Sequence, residues 1–279
     1  MSEGAPKGGK RFPLSLDKAL PATRQGGAVR GEVLRPQRHL QLAAEDAARQ
    51  AAPSGLGLDS AGVRQRMVQR LKQEGLSDER VLQALAHVPR HQFVDTALAI
   101  QAYEDTSLPI GHGQTISKPS VVGRMLELLF AGAGARERGE LGRVLEIGTG
   151  CGYQAAVLAE LSRQVVSIER LKPLHDKAVL NLAALRGHRI RLLYGDGKLG
   201  HAPQAPYDSI VAAAGGEDVP GAWLAQLAPG GRLVAPMAAP GGRGQVLVVV
   251  DHVLIGGHSQ FLRSTQEAVQ FVPLKSGVM

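Results

Sequence analysis

Val144-Leu145-Glu146-Ile147-Gly148-Thr149-Gly150-Cys151-Gly152-Tyr153 decides the reading of this 279-residue chain. Arg143–Ile147 is a short apolar run interrupted by one acid, the pattern of a strand buried on both faces. Three glycines follow at alternate positions, and Tyr153–Leu161 then carries helical spacing. Such a turn, handing a buried strand to a helix, is where doubly wound sheets hold ligands. Downstream, the signals keep alternating. Gln164–Glu169 reads as a strand, and Pro173–Leu185 as a helix opening on proline. Ile190–Tyr194 and Tyr207–Ala213 read as strands, Val219–Leu227 as a short helix, and Gly231–Pro236 as a strand. Gln245–Val253 and Ala268–Leu274 look like β. This predicts an α/β fold: a doubly wound, mostly parallel sheet with helices on both faces and a β-rich, antiparallel C-terminal edge.

Upstream, Val63, Met67 and Leu71 recur every four residues, and Gly75 stops that helix. Ser77 is the expected N-cap of a second helix carrying Val81, Leu82 and Leu85 up to Pro89. Ser117 or Ser120 is the expected cap of a third, through Val121, Met125 and Leu129. Residues 61–130 therefore form a helical subdomain ahead of the sheet at 131–279. Residues 1–60 lack sustained periodicity and hold one aromatic, Phe12, so a disordered extension is expected. Within it, Leu40 to Ala51 has the spacing of a short helix ended by Pro53.

Charge is unevenly spread. The formal net charge is +7, of which +5 falls in the first 40 residues, leaving the rest of the chain nearly neutral. A basic arm suits solubility, and it can also touch nucleic acid or an anionic surface. With aromatics at 4%, a stacking platform for single-stranded nucleic acid is not expected. The single cysteine excludes an intrachain disulfide framework and a cysteine-based metal site. His87 and His91 straddle Pro89 without an acidic partner, so no metal is expected. No apolar run is long enough to span a bilayer, and no h-region follows the first basic residues. A cytoplasmic location and no membrane partner are expected.

The glycine turn also limits the ligand. A dinucleotide fingerprint needs glycine at its first, third and sixth positions. Here Gly148, Gly150 and Gly152 alternate, and Tyr153 stands sixth, where it would obstruct a pyrophosphate. Glu146, two residues ahead, suits a cationic group better than a phosphate. Glu169 closes the next strand, where an acid accepts from both ribose hydroxyls. Asp196 in Gly195-Asp196-Gly197 follows the third strand and is positioned to accept from an adenine amino group. The three acids together describe a site for a nucleoside carrying positive charge, and S-adenosyl-L-methionine has that chemistry.

The glycine turn, Glu169, Asp196-Gly197, Tyr207-Asp208-Ser209-Ile210-Val211 and Leu227-Ala228-Pro229-Gly230-Gly231-Arg232-Leu233-Val234 resemble the motif series of class I S-adenosylmethionine-dependent methyltransferases. Val88-Pro89-Arg90-His91-Gln92-Phe93-Val94, Ala102-Tyr103-Glu104-Asp105 and Leu108-Pro109-Ile110-Gly111-His112-Gly113-Gln114-Thr115-Ile116-Ser117 resemble the region that precedes the sheet in protein-L-isoaspartate O-methyltransferases. The resemblance covers residues 61–279. It implies a Rossmann-like methyltransferase sheet with an altered final strand order. It implies methylation of the free carboxylate of L-isoaspartyl residues in damaged proteins and peptides. The ester then closes to a succinimide without the enzyme and reopens partly as normal aspartate. It also implies that Ser117 is the active-site residue, on a loop with Thr115 that closes over cofactor and substrate.

The chemistry agrees with the residues. A side-chain carboxyl has a pKa near 4, so the acceptor is already ionised at neutral pH and needs no general base. What the protein must supply is position. Ser117 is expected to orient a carboxylate oxygen. Cofactor contacts are expected from Thr115, Ser117, Glu146, Gly148, Gly150, Gly152, Glu169, Asp196 and Gly197, and substrate contacts from Ile110, Gly111 and His112. Cys151 reads as a small loop residue whose place beside a helix start favours a lowered thiol pKa. Lys275 onward matches nothing in the family pattern. Isoaspartyl proteins and peptides are the expected partners, without nucleic acid, and the absence of a long heptad pattern suits a monomer. Two other readings keep the cofactor site: a methyltransferase with another acceptor such as RNA, and a cofactor-binding paralogue without turnover.

Overall fold

The computed structural model describes residues 61–183 and 189–279. The extension and short helix expected within residues 1–60 lie outside the described residues.

Two helices open the described chain, α1 (Ala61–Gln73) and α2 (Glu79–His87). Gly75 stands between them at φ +107°, a left-handed stop that suits glycine. The cap of α2 is Asp78, not Ser77: its carboxylate accepts from the N–H groups of Arg80 and Val81. Ser77 N–H donates instead to Glu127 Oε1. Two 3₁₀ segments, Arg90–Phe93 and Thr96–Tyr103, lead to a small hairpin of β1 (Leu108–Gly111) and β2 (Gln114–Ile116). Its two-residue turn, His112-Gly113, has φ values of +54° and +67°. Positive φ at both turn positions gives a twist that matches the flanking strands.

Helices α3 (Pro119–Phe130) and α4 (Ala133–Arg138) precede the main sheet. Neither Ser117 nor Ser120 is the N-cap of α3. Lys118 holds that position without a side-chain bond, and Pro119 starts the helix. Asp105 satisfies the exposed turn from outside, accepting from Ser120 N–H at 2.8 Å and Ser120 Oγ at 2.7 Å. Ser117 is left out of the helix end.

The main elements are β3 (Arg143–Ile147), α5 (Tyr153–Leu161), β4 (Gln164–Glu169), α6 (Lys172–Ala183), β5 (Ile190–Tyr194), β6 (Tyr207–Ala212), α7 (Gly221–Gln226), β7 (Leu227–Ala238), β8 (Gln245–Ile255) and β9 (His258–Val269). The sheet order is β5-β4-β3-β6-β7-β8-β9. Pairs from β5 to β7 are parallel, and β7-β8-β9 are antiparallel. Strand order reverses beside β3, so the glycine turn opens into the crevice of the switch point.

The last strand is where expectation and structure part. β9 runs from His258 to Val269, ahead of the segment read as β at Ala268–Leu274. It is an edge strand, exposed along nearly its whole length, so it carries none of the apolar alternation that marks a half-buried strand. Residues beyond it make a single bridge, Gly215 to Pro273.

Apolar side chains fill both faces of the sheet. One face packs Val144, Val165, Val211, Val234 and Leu247 against the helices of residues 61–130 and α5. Leu145, Val166, Ile210, Leu233 and Trp223 fill the other. The helical region thus shares one core with the sheet. No helix among the described residues is long and apolar enough to cross a membrane.

Candidate active site

A cavity of about 470 Å³ opens at the C-terminal ends of β3, β4 and β6. The β1–β2 hairpin, the glycine turn, the start of α6 and the chain's last residues line it. Of the residues singled out in the sequence, Ile110, His112, Thr115, Ser117, Gly148, Gly150, Glu169 and Gly197 lie on its wall.

The glycine turn is fixed from below. Gly148 N–H donates to Ile168 O at 2.9 Å. Gly150, at φ +56°, directs its N–H at Glu169 Oε2 over 2.9 Å. Leu171 N–H donates to the other oxygen, Oε1, also at 2.9 Å. An ionised carboxylate has about four acceptor sites, so Glu169 retains capacity for a vicinal diol. Gly197 lies on the wall, packed so closely that a Cβ there would come within 2.6 Å of Ile147 Cγ2. Trp223 holds it from behind, donating Nε1–H to Gly197 O at 2.8 Å.

Four singled-out residues lie off the wall. Gly111 ends β1 at φ +96°, just before the hairpin turn. Gly152 faces α6, where a Cβ would meet Leu182 Cδ1 at 3.0 Å. Glu146 is fully buried beneath the turn. Ser167 Oγ donates to its Oε2 and also contacts Thr149 Oγ1 at 2.5 Å. Burial pushes the Glu146 carboxyl up to about 8, so it is largely neutral at pH 7 and does not offer the negative charge expected of it. Asp196 has its carboxylate engaged within the protein. Oδ1 accepts from Lys198 N–H at 2.9 Å, and Oδ2 from Gly277 N–H at 2.6 Å.

That last bond belongs to a structure the sequence did not reveal. Residues 275–279 lie over the ends of β4 and β5 as a strap, with Lys275 and Met279 on the cavity wall. Arg170 Nε donates to Gly277 O at 3.0 Å. Met279 N–H donates to Arg170 O, and Met279 O accepts from Lys172 N–H, both at 2.8 Å. Two further anchors were silent in sequence. Lys177 Nζ reaches Asp95 Oδ1 at 3.0 Å and Ile110 O at 3.3 Å, tying the hairpin to α6. Asn181 Nδ2 holds Cys151 O at 2.9 Å. Cys151 itself is buried, and burial pushes its thiol up to about 11, opposite to the lowering expected from the helix start. Of the two histidines near Pro89, His87 Nδ1 pairs with Glu160 at 2.8 Å and His91 Nδ1 with Tyr103 Oη at 2.6 Å.

The residues present fit S-adenosyl-L-methionine. The cavity has the size of a small-molecule site. Its floor is a glycine cradle, Glu169 presents carboxylate oxygens that would suit a diol, and Leu174, Val272 and Leu274 add apolar wall. Sheet order, glycine turn and this wall define a class I S-adenosylmethionine-dependent methyltransferase. The sequence profile of the family "Protein-L-isoaspartate(D-aspartate) O-methyltransferase (PCMT)" matches residues 62–279. The chain belongs to that family. A protein-L-isoaspartate O-methyltransferase of Methylibium petroleiphilum is 63% identical over 269 residues, covering 96% of each chain. That of Leptothrix cholodnii is 56% identical, covering 99% of this chain and 98% of the relative. A solved protein-L-isoaspartate O-methyltransferase superposes with a TM-score of 0.65 at 26% identity, covering 77% of this chain and 67% of its own. A Plasmodium falciparum homologue in complex with S-adenosyl-L-homocysteine gives 0.64 at 22% identity, covering 76% and 98%.

Proposed function

We propose that the family's reaction, methyl transfer from S-adenosyl-L-methionine to the free carboxylate of an L-isoaspartyl residue, is carried here by the wall that unites Ser117, Thr115, Gly148, Gly150 and Glu169. That convergence of two distant segments on one cavity is the observation that carries the reading. The cofactor supplies an electrophilic methyl group when bound. Glu169 holds the ribose, and the glycine backbone lets the nucleoside approach closely. Ser117, free of helix-capping duty, orients the acceptor carboxylate by a hydrogen bond. Thr115 and the hairpin turn cover the two reactants and exclude water. Arg170, Lys275 and His112 around the wall favour an anionic acceptor.

The acceptor is a damaged protein or peptide rather than nucleic acid, and the enzyme acts as a monomer in a reducing, cytoplasmic setting. The lone, buried cysteine is compatible with that setting. Ser117→Ala tests the assignment. A hydrogen bond to a charged group contributes about 1.5–3 kcal/mol, so kcat is expected to fall about 10- to 100-fold. Calorimetric affinity for S-adenosyl-L-homocysteine should stay within about 3-fold, since the bond is made to the acceptor. Lost cofactor affinity with unchanged kcat would remove Ser117 from the reaction.

A further inference from the structure

Arg90 is among the largest fully buried side chains, at zero exposure. A guanidinium keeps its charge even where burial opposes it, so leaving water is costly without compensation. No carboxylate hydrogen-bonds to Arg90 among the described residues; Nε and Nη2 reach backbone carbonyls, and the buried Nη1 reaches no acceptor. Nε donates to Ala102 O at 2.8 Å. Nη2 donates to Ser117 O at 2.7 Å and, at 3.4 Å, to Thr106 O. The guanidinium carbon lies 4.7 Å from the centre of the Tyr153 ring. Tyr153 is the first residue of α5, directly after the glycine turn, and lines the cavity.

One rigid planar group thus joins four segments: the 3₁₀ turn at Ala102, the loop at Thr106, the backbone of Ser117 and the helix that carries the cofactor turn. An apolar side chain would fill this space at a lower desolvation cost if packing were the only need. A lysine would keep the charge, but its single ammonium cannot reproduce the fork.

We infer that Arg90 is a positioning residue for methyl transfer, fixing the Ser117 backbone against the Tyr153 face of the cofactor site so that the serine hydroxyl meets the acceptor carboxylate. The inference rests on the Ser117 role proposed above. Arg90 touches neither reactant and acts through Ser117.

The test is a double-mutant cycle on kcat with an isoaspartyl peptide, with S-adenosyl-L-homocysteine affinity measured in parallel by calorimetry. The variants are Arg90→Lys, Ser117→Ala and the pair together, with Arg90→Gln as a second probe of the same site. A misplaced serine loses part or all of its hydrogen bond, so Arg90→Lys should lower kcat by about 10- to 100-fold, and by no more than Ser117→Ala does. Affinity for S-adenosyl-L-homocysteine should remain within about 3-fold, because the cofactor's own contacts are intact. In the Ser117→Ala background the same change should cost less than about 3-fold, because the group it positions is gone. A stability role alone predicts equal losses in both backgrounds, and that result would overturn the inference. So would normal kcat in Arg90→Lys, or failure of both Arg90 variants to fold and bind S-adenosyl-L-homocysteine. An unchanged kcat in Ser117→Ala overturns the Ser117 role and this inference together, whereas equal losses overturn this inference alone.

Discussion

Burial of the Glu146 carboxyl under the glycine turn lets pH act on stability through one residue. Its folded pKa of about 8 lies above its ordinary 4.5, so the folded state holds this proton more tightly than the unfolded chain. The group is no burden below pH 4.5; stability then declines as pH rises from 4.5 through 8, by up to roughly 5 kcal/mol. Glu146→Gln removes that dependence. In cofactor-free protein, the melting temperature of the variant relative to the parent should rise between pH 5 and pH 9. A difference that stays flat over this range would contradict the buried, proton-binding carboxyl. Cys151 provides a parallel check. With its thiol pushed up to about 11, about a thousandth is thiolate at pH 8, and the little of the side chain that is exposed faces the cavity wall. Native protein should resist a thiol reagent that labels the unfolded chain within minutes. Neither behaviour was legible in the sequence. Spacing located Glu146 at a strand end and Cys151 beside a helix start. Which side of the turn each side chain occupies depends on Ser167 and Asn181, which arrive from other elements.

At the scale of elements, the strap formed by residues 275–279 is the part of the site with the fewest sequence signals. It has no periodicity, and its hold comes from backbone groups of Gly277 and Met279 rather than from side chains. Removing residues 276–279 deletes the N–H that serves Asp196 and opens the wall over β4 and β5. Affinity for S-adenosyl-L-homocysteine is expected to weaken about 10-fold, consistent with loss of a hydrogen bond to a charged group. The kcat at saturating cofactor should change less than about 3-fold, because Ser117 and the hairpin are untouched. Unaltered affinity would show that the strap only covers the surface. β9 illustrates a different limit of sequence reading. Its residues face solvent on both sides, so burial wrote no pattern into them, while the apolar residues at Phe271–Leu274 attracted a β reading without being a strand. The buried strands β3, β4 and β6 were legible within one residue of their ends because each is apolar on both faces. The hairpin was missed because β1 and β2 have only four and three residues.

At the scale of the whole molecule, two distant segments meet at one cavity: the loop ending at Ser117 and the turn following β3. The sheet fixes the turn, the shared core fixes the helical region against the sheet, and Arg90 spans the two. The alternation of strands and helices made the fold legible, and the glycine turn with Glu169 at the next strand's end made the cofactor class legible, whereas Glu146 and Asp196 were read as ligand acids and stand off the cavity wall. The acceptor was legible only through resemblance, because positioning a carboxylate leaves no catalytic triad or metal cluster in the sequence. The family profile begins at residue 62. Removing residues 1–60 is therefore expected to leave peptide methylation within about 3-fold of the full chain, whereas a basic arm that recruits an RNA acceptor would make its loss abolish activity. Acceptor choice separates the isoaspartyl reading from its alternatives, and a pair of matched peptides reads it out. Methyl transfer from labelled S-adenosyl-L-methionine is followed on two peptides that differ only in carrying L-isoaspartate or normal aspartate at one position. Base-labile methyl ester on the isoaspartyl peptide alone is the expected result. Transfer to neither peptide, with cofactor binding intact, would contradict it.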